Sequence, residues 1–170
     1  MKLQLILLMT FSAVAFGADG VSFVNEGIVD APVEQVWKVF TTSEGYKVLG
    51  PAQAEVDLRI GGAIRSRYSS TGPLGDEETI ENQILAYEPP FMIATRIQKT
   101  PKGFPFIEAW KHSWTVVTLV PLDGNRTRVH VASLGYGTDA ESLAMKKFFE
   151  FGNQQTMEVI QKHFAMAGAK

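Results

Sequence analysis

A long amphipathic segment near the C-terminus constrains this chain more than anything before it. Thr138 and Glu141 stand in the S/T-x-x-E arrangement of a capping box, a physical start signal for a helix. From there Met145, Phe148, Phe149, Gly152, Thr156, Val159 and Ile160 recur at helical spacing along one stripe. Leu143, Lys146, Lys147, Glu150, Gln154, Glu158 and Gln161 take the other side. The pattern predicts a helix from Thr138 to about Phe164, roughly 40 Å long at about 1.5 Å per residue. One face of it must lie on something apolar. Gly152 interrupts the stripe at a cost of about 1 kcal/mol relative to Ala. Two readings of that glycine stay open: close packing on a strand, or room left beneath the helix.

The chain ahead of this helix supplies the surface it needs. Val21 to Val29 is strand-like, and Asp30-Ala31-Pro32 breaks it and opens a helix, Pro being suited to a first turn. Val33, Val36, Trp37 and Phe40 follow helical spacing to about Thr41, and a second short helix is expected from Ser43 to Leu49. The period then changes to two. Ala54, Val56, Leu58 and Ile60 alternate with Glu55, Asp57 and Arg59, and Gly61-Gly62 reads as a hairpin turn. Ile64, Ser66 and Tyr68 follow, then a loop over residues 71–76, then strands over 78–87 and 91–98. A Pro- and Phe-containing loop spans Lys99 to Ile107, a long strand runs from Trp110 to Val120, and another from Arg126 to Leu134. One strand, two helices, about six antiparallel strands and a long helix make an α+β domain with its helices on one face of an antiparallel sheet.

Composition limits what such a domain does. With 170 residues, 45% of them hydrophobic, the chain supports one compact domain with a sizeable core. A formal net charge of −2 and no basic run argue against a broad electrostatic hold on nucleic acid or anionic membrane. Lys2 precedes an apolar run from Leu3 to Phe16 that ends in small residues, the pattern of a secretory signal over residues 1–18. The expected mature domain is 19–170, secreted or periplasmic, with no stable membrane anchoring after cleavage. Cysteine is absent, so no disulfide forms.

The order of elements, together with particular residues, resembles the START-like (SRPBCC) superfamily. The residues are Ile28-Val29-Asp30-Ala31-Pro32 with Val36-Trp37, Asp57-Leu58-Arg59-Ile60-Gly61-Gly62, and Ile84-Leu85-Ala86-Tyr87-Glu88-Pro89-Pro90. Thr118-Leu119-Val120-Pro121-Leu122 and Arg126-Thr127-Arg128-Val129 complete the set. Within the superfamily the chain is similar to the branch named for activators of the Hsp-type chaperone ATPase, alongside the polyketide cyclase/dehydrase group. The resemblance implies a helix-grip fold: a curved antiparallel sheet of about seven strands around the C-terminal helix, with two short helices after the first strand. It also implies a deep apolar cavity between sheet and helix, used for hydrophobic small molecules. An exported protein departs from chaperone activation, which is cytosolic.

On that reading the ligand-binding set is Tyr68, Ile97, Phe104, Phe106, Trp110, Trp114, Met145, Phe148, Phe149 and Gly152. Phe104-Pro105-Phe106-Ile107 would be a lid or a small core beneath a loop, and Met145, Phe148 and Phe149 the helix wall. Trp110 and Trp114 face inward or outward according to which end of their strand sets the count. No metal site is expected, because His112, His130 and His163 have no ligand spacing. His163 falls on the inward stripe and His130 toward solvent. No phosphate loop, dinucleotide fingerprint or nucleophile elbow occurs, so no cofactor is expected. For acid/base chemistry the candidates are Arg67, Glu81, Glu108 and His112, with Arg67 and Glu81 expected to pair on the wet face. No catalytic residue is assigned. A hydrophobic small molecule is the expected partner, against two alternatives: a cyclase- or hydrolase-type enzyme using the same cavity, and a protein-interaction module.

Overall fold

The computed structural model describes residues 21–168, so the secretory-signal reading of residues 1–18 lies outside the described residues. β1 (Val21–Val29) leads into α1 (Val33–Thr41) and α2 (Ser43–Lys47). Then come β2 (Gln53–Val56), β3 (Ala63–Arg67), β4 (Ile80–Glu88), β5 (Met92–Lys99), β6 (Trp114–Leu122), β7 (Arg126–Tyr136) and α3 (Ala140–Gly168). The strands form one seven-stranded sheet in the order β1-β7-β6-β5-β4-β3-β2, every pair antiparallel. The first and second strands are therefore opposite edges, joined by the α1–α2 pair. This is the helix-grip fold.

Alternation decides what lies under α3. Phe23, Val29, Ile64, Ile84, Ile93, Val117, Leu119 and Val129 turn inward and are buried, while Arg65, Arg96 and Arg128 stay on the wet face. Two separate cores result. The larger joins α1 (Val36, Phe40) and the C-terminal half of α3 (Met157, Ile160, Phe164) to the sheet. The smaller gathers Phe23, Ala109, Tyr136 and Met145 with Phe106, Trp110 and Phe149.

Several elements depart from the sequence reading. α3 begins at Ala140, and its cap is Asp139, not Thr138: Ser142 N donates to Asp139 Oδ1 at 2.9 Å and Ser142 Oγ to Oδ2 at 2.6 Å. Glu141 closes no capping box, since its Oε1 accepts instead from Glu108 N at 3.0 Å. The buried stripe runs through Ser142, Met145, Met157, Ile160 and Phe164, so Val159, 42% exposed, and His163 turn outward. β2 stops at Val56 because the chain bends there: Asp57 N bonds Ala63 O, Gly62 N bonds Arg59 O, and Ile60 is exposed. Gly61-Gly62 closes that six-residue loop rather than a two-residue turn, with Gly61 at φ +78°. α2 ends at Lys47, short of Leu49. The strand expected from Trp110 starts only at Trp114, because Ala109–His112 coil into a 3₁₀ turn.

Candidate functional site

Between the two cores lies a cavity of about 480 Å³, roofed by α3 and floored by the concave face of the sheet. Its sheet side is built by alternate residues of five strands: Ile64 and Ser66, Ile80 and Asn82, Ile93, Thr95 and Ile97, Thr115 and Val117, Val131 and Ser133. Phe149, Gly152, Asn153, Thr156 and Ile160 form the roof, and Phe40, Tyr46 and Leu49 close the α1–α2 end. The volume falls in the range of small-molecule pockets, room for about 16 waters at roughly 30 Å³ each. Gly152 answers the question its sequence position raised. A Cβ there would meet nothing within 4 Å, so the glycine leaves space rather than permitting close packing.

The lining carries no formal charge: among the described residues, no Lys, Arg, His, Asp or Glu borders the cavity. Its polar groups are hydroxyls and carboxamides. Burial, helped by the neighbouring Tyr68, pushes the Tyr46 phenol up to about 12, and burial pushes Tyr136 to about 12 against an opposing hydrogen bond from Ser133. Both stay neutral at physiological pH.

Of the residues expected to bind ligand, Tyr68, Ile97, Phe104, Trp114, Phe148, Phe149 and Gly152 border this cavity. Trp114 stands at its rim, 40% exposed, with its ring against Gly135. Phe106, Trp110 and Met145 do not border it, because they fill the smaller core next to it. The Phe loop does reach the helix. Phe104 meets Phe148 and Phe149 at centroid distances of 6.1 and 6.2 Å, and Phe106 meets Phe104 and Phe148 at 5.4 and 5.6 Å. Sequence reasoning missed Tyr46, Asn82, Thr95, Thr115, Ser133 and Asn153. Inward parity on the strands was the available signal for four of them.

None of the acid/base candidates borders the cavity. Glu81 pairs with Arg65 at 3.0 Å across the β3–β4 register, not with Arg67. Arg67 is buried beneath the β3–β4 loop, where it pairs with Asp76. Glu108 is exposed and pairs with Lys111 at 2.6 Å. His112 is exposed on the 3₁₀ turn and edges a separate groove with Ala109 and Asp139.

A curved antiparallel sheet gripping one long helix over a hollow defines a helix-grip protein. Residues 30–165 match the family described as Activator of Hsp90 ATPase homolog 1-like protein, and the chain belongs to that family. Its fold is similar to that of protein Ms6760 from Mycobacterium smegmatis, with 23% identity, a TM-score of 0.61, and coverage of 89% of this chain and 93% of that one. The Aha1 dimer from Colwellia psychrerythraea is similar at 12% identity and a TM-score of 0.60, over 83% of this chain and 96% of that one. An HSP90 activator from Plasmodium falciparum shares 20% identity with a TM-score of 0.53, over 68% and 74% of the two chains. No curated protein matches the sequence.

Proposed function

We propose that this chain is an exported binding protein for a hydrophobic small molecule of lipid, aromatic or isoprenoid class, held between the sheet and α3. The observation that carries the proposal is the hollow itself: about 480 Å³ of mostly apolar lining, kept open beneath Gly152. Each Å² of ligand surface removed from water there contributes about 25 cal/mol before ordering costs. The Phe104–Phe106 loop, packed edge-on against Phe148 and tilted against Phe149, serves as its lid. Export rests on the N-terminal apolar run.

Native mass spectrometry and thermal shifts against lipids, aromatics and isoprenoids test this reading. A ligand at 100 times its Kd adds about 2.7 kcal/mol, and at about 2–4 °C per kcal/mol the midpoint rises roughly 5–10 °C. No bound mass and no shift across the panel would remove the proposal.

A second reading, an interaction module, draws on the Hsp90-activator names of the family and of the Plasmodium neighbour. The outer side of α3 favours it, with Leu143, Phe151, Val159 and Met166 between 40% and 67% exposed. Charged substitutions at Phe151 and Met166 that leave small-molecule binding intact but abolish a partner complex would support that reading.

A further inference from the structure

One row of side chains crosses the cavity at the level where the two cores separate. Thr95 of β5 is the direct cross-strand partner of Thr115 of β6, and Thr115 of Ser133 of β7. All three border the cavity. Cross-strand neighbours of this kind stand about 4.5–5.5 Å apart at Cβ, so the hydroxyls form a continuous rung about 10 Å long. From the roof, Asn153 Nδ2 donates to Ser133 Oγ at 3.3 Å, which ties the rung to α3. The Thr95 and Thr115 hydroxyls make no hydrogen bond to another side chain among the described residues, and the Asn153 carbonyl oxygen is likewise free of one.

The next row, Ile93–Val117–Val131, is wholly apolar. Polar groups on a concave, half-buried face weaken a core unless something engages them. A cross-strand threonine pair contributes only about 0.2–1 kcal/mol to a sheet, so the hydroxyls at 95 and 115, which bond no other side chain, stay available to a guest. What engages them must also be neutral. A carboxylate, phosphate or ammonium at this depth would be desolvated with no opposite charge to meet it, since the lining has none.

We infer that the Thr95–Thr115–Ser133–Asn153 rung is the polar subsite of the cavity, selecting an uncharged amphiphile with one hydroxyl or carbonyl group on an apolar skeleton. This rests on the small-molecule reading above. The hydroxyls of Thr95 and Thr115 and the Asn153 amide grip that group, while Ile64, Ile93, Val117 and Ile160 hold the skeleton.

Calorimetric or NMR titration with naphthalene, 2-naphthol and 2-naphthoate separates the terms, because the three share one skeleton. The expected result is 2-naphthol binding at least about tenfold tighter than either of the others. In Thr115→Val and the double variant with Thr95→Val, 2-naphthol affinity should fall about tenfold while naphthalene affinity holds or rises. Circular dichroism melts confirm that each variant folds, and Ser133→Ala offers an independent site on the rung should the double variant fail to. Equal affinity for naphthalene and 2-naphthol, tighter binding of 2-naphthoate, or variants that bind 2-naphthol unchanged would each overturn the rung while leaving the cavity reading standing. Binding of none of the three would overturn the rung, and the cavity reading falls with it only if the lipid and isoprenoid members of the wider panel also fail to bind.

Discussion

Met157 lies across Gly27, so close that a Cβ on the glycine would stand 2.7 Å from both Met157 Cγ and Sδ. That contact seats α3 on the β1 edge of the sheet. Gln161 Nε2 donates to Ile28 O at 2.9 Å and Asn25 Nδ2 to Glu150 O at 3.2 Å, on either side of it. Gly152, nearer the N-terminal end of the same helix, meets nothing within 4 Å. One glycine brings helix and strand together, and the other holds open the space beside them.

Gly27→Val should destabilise the domain by about 1–3 kcal/mol, the usual cost of forcing extra atoms into a filled site. Adding Met157→Ala should recover part of that loss, because the clash is between these two side chains. Urea unfolding of the two single variants and the double variant checks this coupling. Strict additivity would mean that the seat lies elsewhere.

Gly152→Ala should stabilise the fold by about 1 kcal/mol, since it adds helix propensity where no atom stands in the way. Gly152→Trp should keep much of that gain while filling the cavity. Thermal melts report the stability.

The β3–β4 loop should set the acid limit of the fold. Burial favours the neutral Asp76 carboxyl, but the hydrogen bond from Arg67, with those from Glu78 N and Thr79, holds it below the usual carboxylate range. Asp139 is lowered by its hydrogen bonds to Ser142 at the start of α3. A depressed carboxyl contributes stability that is present above its unfolded value, near 4. That stability drains away as pH falls below it through the folded value. Asp76→Asn should therefore lower stability at pH 7 and flatten the acid limb of a pH–stability profile. It should also cost more than Arg67→Met, because it leaves the buried guanidinium without its partner.

Alkaline behaviour should follow the two enclosed phenols. Tyr46 and Tyr136, both near 12, ionise above the usual value of about 10. The unfolded chain loses these protons first, so their contribution is whole below pH 10 and is lost as pH rises toward 12. Ultraviolet titration should show Tyr46 and Tyr136 titrating last, with Tyr68 also raised by burial, and one of the latest steps should disappear in Tyr46→Phe.

Much of the fold was legible because its signals are local. β1 over Val21–Val29 and α1 from Val33 to Thr41 lie where the strand-like run, the break at Pro32 and helical spacing put them. The rotation of α3 was not legible, because apolar residues surround it: Leu143, Phe151, Val159 and Met166 blur the stripe that Met145, Met157 and Ile160 define. Thr138 and Asp139 can both cap, and only the backbone decides whose oxygen reaches Ser142 N. Trp110 alternates correctly for a strand, yet it follows a 3₁₀ turn into the smaller core. The polar rung needs the register of β5, β6 and β7, which no single strand carries in its own sequence.

The most direct measurement compares amide chemical shifts of wild type and Gly152→Trp during titration with 2-naphthol. In wild type, saturable shifts should concentrate at Thr95, Thr115, Ser133 and residues 149–156, and in Gly152→Trp they should vanish while the spectrum stays that of a folded domain. Saturable shifts confined to the outer face of α3, or binding undiminished in the filled variant, would contradict a guest beneath the helix.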